Sequence, residues 1–81
     1  MSLPPLHVRF TAIKRRVREA IGPELSHEFR SSAIFQIYTG LCGEAQMAAE
    51  DDTLSEALLA QLEEYADKVI ALWQATEQAK K

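Results

Sequence analysis

The chain has 81 residues, 47% of them apolar, and a net charge of −3. That length holds one hydrophobic core and buries only about 60–65% of the unfolded surface, so self-association would add useful stability. The apolar content excludes a disordered chain, and the single cysteine, Cys42, excludes an internal disulfide and fits a reducing compartment. Residues 1–43 hold six Lys/Arg against three acids, and residues 44–81 hold three Lys against nine acids. A chain basic in one half and acidic in the other can attract itself, a second copy or two unlike partners.

Met1 to Pro5 reads as an extended lead-in, because Pro4 and Pro5 fix φ and restrain their predecessors. It lacks the basic and apolar regions of a secretory signal, so a cytoplasmic protein is expected. Helix one is expected over residues 6–21, where Leu6, Phe10, Ile13, Val17, Ala20 and Ile21 share one face. Gly22-Pro23 should end it, with Gly at a left-handed position and Pro unable to continue the ladder.

Helix two is expected to run from about Glu24 to Ala49. Pro23 would suit the start of this helix, and Glu24 and Glu28 the positive end of its dipole. Leu25, Phe29, Ala33 and Ile37 form one row; Ile34, Tyr38, Leu41 and Ala45 form another beside it. Phe35 and Cys42 point elsewhere. Gly40 and Gly43 can end this helix, kink it or admit another backbone, and continuation through them is the favoured expectation. Glu50-Asp51-Asp52 should form the next turn.

Helix three is expected over residues 53–79. Thr53-Leu54-Ser55-Glu56 has the form of a capping box. Leu58, Leu62, Tyr65, Val69, Leu72, Thr76 and Ala79 then alternate in steps of four and three, a coiled-coil-like seam. Leu59, Ala66, Ile70 and Trp73 widen that seam to roughly 160° at 100° per residue. Glu56, Glu63, Glu64 and Asp67 take the opposite face, with Glu64 and Lys68 spaced for an i,i+4 pair. The expected fold is all-α: a three-helix bundle, or a helical hairpin completed by self-association, with a long C-terminal amphipathic helix.

Catalytic and metal signals are weak. Cys42 and His27 would lie about 22 Å apart on a continuous helix two, and no HExxH or CxxC spacing is present. Glu63 and Asp67 share a face but no inferable cleft. The expectation is a non-enzymatic protein that takes no cofactor and no metal. The longest uncharged run, Ser31 to Gly43, is thirteen residues, short of the ~20 that span a bilayer.

Two surfaces invite a binding role. An uncharged helix-two segment richer in apolar residues than one bundle face needs points to partner contact through Phe35, Ile37, Tyr38 and Leu41, with Leu72 and Trp73 contributing. The reading that follows is a small interaction module, acting as regulator, inhibitor or assembly adaptor on a partner protein and forming a homodimer. The alternative is nucleic-acid binding through Arg9, Lys14, Arg15, Arg16 and Arg18, whose guanidinium and amine groups could neutralise phosphates. The bland account of that cluster is a solvated face that pairs with acidic helix three. An anionic membrane surface or an organellar targeting helix is a weaker variant.

Overall fold

A computed structural model describes residues 5–22 and 25–79. Among them the chain is all-α, with four helices: α1 Leu6–Ile21, α2 His27–Arg30, α3 Ala33–Glu50 and α4 Glu56–Ala79. The expected lead-in over Met1–Pro4 and the expected helix start at Pro23-Glu24 lie outside the described residues.

Pro5 opens α1: its carbonyl accepts from the Val8 and Arg9 amides, both at 3.1 Å. The predicted stripe is the buried one, with Phe10, Ile13, Val17 and Ile21 facing inward. Ala20 is exposed. Gly22 ends the helix at φ 68°, ψ 172°, an extended positive-φ region open essentially to glycine alone.

The single helix expected over 24–49 is two. Ser26 caps α2 by accepting from the Phe29 amide at 3.1 Å, and Ser32 caps α3 by accepting from the Phe35 amide at 3.3 Å. Serine hydroxyls compete in this way with the helical ladder and favour its ends. The Gln36 side-chain amide donates to the Arg30 carbonyl at 2.7 Å and braces the break. On one continuous helix, Phe29 and Phe35 would point about 120° apart at 100° per residue. The break at Ser31-Ser32 instead brings their rings to 5.3 Å.

Beyond that break α3 runs unbroken through Gly40 and Gly43. A Cβ on either glycine would meet nothing within 4 Å, so neither ends the helix or marks a close backbone approach within the chain. At its end the Thr53 amide donates to the Ala48 carbonyl (2.7 Å) and the Asp52 amide to the Ala49 carbonyl (3.3 Å). With Asp52 at φ 58°, this is a Schellman closure in which Asp fills the position usually held by Gly. Thr53 therefore belongs to the end of α3. The expected Thr53 capping box is replaced by Ser55, whose hydroxyl accepts from the Leu58 amide at 3.2 Å, and α4 starts three residues later than expected.

Helix α4 is the centre of the fold. It packs along α1 on one side and α3 on the other, while α1 and α3 meet each other far less. Arg9 reaches Glu56 and Arg16 reaches Asp67, so α1 and α4 run in parallel. The short turn at 51–55 makes α3 antiparallel to α4. Leu59, Leu62, Ala66 and Val69 have no solvent exposure. The molecule's smallest extent is 19 Å, about two helix diameters. Such a slab covers α4 from two sides and leaves the outer margins of α1 and α3 open.

Candidate functional site

The centre of α4 burial lies between the rows of the expected seam. Leu62 and Val69 are buried, but Leu58, Tyr65, Leu72 and Thr76 are only half-buried. The row Leu58–Tyr65–Leu72 sits about 80° around the helix from the buried centre, at 100° per residue. Glu56 and Asp67, which meet α1, lie on the other margin. This row therefore faces the α3 side.

Helix α3 presents a matching margin. Tyr38 and Ala45 face the core. Phe35 and Cys42 flank them on the side toward α1, where they share a groove with Lys14 and Val17. Ile34, Leu41, Ala48 and Ile37 lie on the other flank, about 40–100° from Tyr38. Ile34, Leu41 and Ala48 are half-buried, and Ile37 is 44% exposed. In the antiparallel hairpin, Ile34 and Ile37 fall near the level of Leu72, Leu41 near Tyr65 and Ala48 near Leu58. The two margins make one apolar strip along the α3–α4 seam, on the side away from α1. Glu28 borders it beside Leu72, and Lys68 Nζ lies 4.7 Å from the Tyr65 ring centroid. Lys68 thus engages an aromatic face, where sequence spacing paired it with Glu64.

The six residues expected to contact a partner separate into two groups. Ile37, Leu41 and Leu72 lie on the strip. Phe35, Tyr38 and Trp73 belong to an aromatic cluster built on buried Phe29, with Phe29–Trp73 at 5.3 Å and Phe35–Tyr38 at 6.5 Å. Tyr38 is 6% exposed and part of the core. Ile34, Leu58 and Tyr65 join the strip without having been singled out for partner contact. Their signal was the heptad spacing of 58, 65 and 72 beside the continuous row 34, 41, 48.

The basic residues of α1 are divided among three directions. Arg16 Nη2 meets Asp67 Oδ1 at 2.7 Å, and Arg9 Nη1 meets Glu56 Oε1 at 3.5 Å. These are exposed pairs, worth about 0–1 kcal/mol each. Lys14 Nζ lies 4.2 Å from the Phe10 ring centroid, and Lys14 and Arg18 border the groove toward α3. Arg15 points to solvent. The five cations form no single phosphate-facing surface, and α4 acids stand beside two of them.

Burial pushes the Tyr38 hydroxyl well above its ordinary pKa, helped by a hydrogen bond to Cys42. Burial also raises the Cys42 thiol, against a smaller lowering by that same bond. These directions fit a hydroxyl that donates to sulfur and hold Cys42 as a neutral thiol. His27 contacts Ser31, with Nε2 3.5 Å from Oγ. Glu63 and Asp67 are both exposed. Among the described residues, no His/Cys/Asp/Glu group could hold a metal, no buried side-chain polar atom lacks a partner, and no helix is long and apolar enough to cross a membrane.

No family model, curated protein or solved structure matches this chain.

Proposed function

We propose that this protein is a small interaction module that works by binding, and that it pairs with a second copy through the α3–α4 strip. The observation that carries this reading is the placement of Ile34, Ile37, Leu41, Leu58, Tyr65 and Leu72 on one continuous margin. Apolar side chains in line along a helix pair, with few charges between them, have the composition of an interface centre. A second hairpin laid on that margin would cover it with a four-helix contact, in which large side chains of one pair fill gaps in the other. A regulator or assembly adaptor of this kind would acquire its partner by the same surface or by the pairing itself. Phosphate binding through α1 is less supported, because Arg9 and Arg16 already have carboxylate partners.

Sedimentation velocity over a micromolar concentration range tests this directly, with a concentration-dependent dimer as the expected result. Ile37→Asp should weaken the dimer about 10- to 100-fold, since a buried Ile contributes about 1.5–3 kcal/mol. Ile37 is exposed in the single chain, so helicity by circular dichroism should be retained. A wild-type chain that stays monomeric throughout, or a dimer indifferent to Ile37→Asp, would contradict the reading.

A further inference from the structure

On the opposite flank of α3 from the strip, the space between α1 and α3 forms a groove of about 340 Å³, at the small end of the range of ligand pockets. Its two walls differ. The α1 wall carries Lys14 and Arg18 one turn apart, with Val17 and Ile21 below them; the α3 wall is uncharged, with Phe35, Tyr38 and Cys42. No acid lines it among the described residues.

The polarity also varies along the groove. Because α1 and α3 run antiparallel, Lys14 lies at the level of Cys42 and Ile21 at the level of Phe35. Leu25 joins Ile21 and Phe35 at the far end. The cations thus occupy the Lys14–Arg18 half and give way to an apolar end at Ile21, about 5 Å beyond Arg18 for three residues at 1.5 Å rise. Lys14 and Arg18 are four residues apart on one helix, near enough for a single anionic head to lie between them. An apolar tail running from that head would exclude water from the half-buried Leu25 and Phe35, over a floor of buried Val17 and Ile21.

We propose that this groove binds a medium-chain fatty acid, carboxylate between Lys14 and Arg18 and tail toward Leu25 and Phe35. Charge complementarity selects the head, and the short apolar run selects the tail. A neutral head would gain nothing from the two cations, and a polar tail would leave the far end unfilled. Charged hydrogen bonds to a carboxylate are the stronger kind, so the head should distinguish ligands of equal chain length. The site is separate from the α3–α4 strip, and its occupancy does not require a dimer.

The test titrates octanoate into the full chain and follows two signals: amide shifts along the groove, and the alkylation rate of Cys42 by iodoacetamide. Octanoate should shift amides near Val17, Ile21, Phe35 and Cys42 and slow alkylation of the half-buried thiol. Octyl glucoside, with the same chain and a neutral head, should bind at least about tenfold more weakly, as should octanoate to Lys14→Gln or Arg18→Gln (tenfold being 1.4 kcal/mol). Arg18 is exposed, so Arg18→Gln should keep the fold, with circular dichroism as the check. No shift and no protection at millimolar octanoate would overturn the proposal. So would equal affinity for octanoate and octyl glucoside, or protection of Cys42 by an acidic amphipathic peptide and not by octanoate.

Discussion

Helix α4 makes two seams of opposite character. Toward α1 its margin is polar: Glu56 and Asp67 meet Arg9 and Arg16, and Glu63 stands between them. Toward α3 its margin is Leu58, Tyr65 and Leu72, continued by Ile34, Leu41 and Ile37. Both seams share the same buried centre, so the difference lies at their edges. An edge rimmed with exposed ion pairs is suited to water. An edge that ends in leucine, isoleucine and tyrosine leaves apolar surface in water, and each such residue gains on being covered. The charge asymmetry of the sequence therefore has a local meaning: it rims the α1–α4 edge with ion pairs, and the other edge is the one proposed to meet a partner.

Removing the centre common to both seams has the largest expected effect. Leu62→Ala should cost about 2–5 kcal/mol, read as a lower urea midpoint, because Leu62 is fully buried. A cost under 1 kcal/mol would mean that α4 is not the central helix. Next is the corner that turns α1 back toward α3. Gly22→Ala should cost about 1–3 kcal/mol, from conformation alone, since a Cβ there meets no neighbour.

Alkaline pH separates the two sides in another way. Tyr38 and Cys42, on α3, resist ionisation when folded, whereas the unfolded chain loses protons near the ordinary values of 10.0 and 9.0. The unfolded state then binds fewer protons, so stability is complete below about pH 9 and falls as pH rises toward the raised folded values. Urea unfolding at pH 8 and 10.5 should show that loss, and Tyr38→Phe should reduce it. The smallest effect is expected at the polar edge. Arg16→Ala should change stability by less than about 1 kcal/mol, with the difference fading at high salt. A larger loss would make the ion pairs part of the fold.

Most of the helices were legible because each long one carries its own 3.6-residue period. The α1 stripe Phe10–Ile13–Val17–Ile21 is the buried face, and α4 holds its apolar side inward. The break at Ser31-Ser32 was hidden by an apolar row that reads through it, beside a second row that begins just after it. The row Leu25–Phe29–Ala33–Ile37 keeps its phase only to Phe29; past the break Ala33 and Ile37 are exposed. Two adjacent rows in one stretch can mean a broad face or a change of helix axis, and only the capping hydroxyls of Ser26 and Ser32 separate these cases. The proposed strip was half legible for the same reason. Ile37, Leu41 and Leu72 stood out by type, but the side on which Phe35 and Tyr38 fall depends on the break.

The contrast between the two edges can be read from one experiment, a dilution series of amide spectra from high to low micromolar protein. The account predicts concentration-dependent shifts at Ile34, Ile37, Leu41, Tyr65 and Leu72, with the amides of Arg9, Ile13 and Arg16 unmoved. Shifts centred on the α1–α4 edge, or spectra that do not change with concentration, would contradict it.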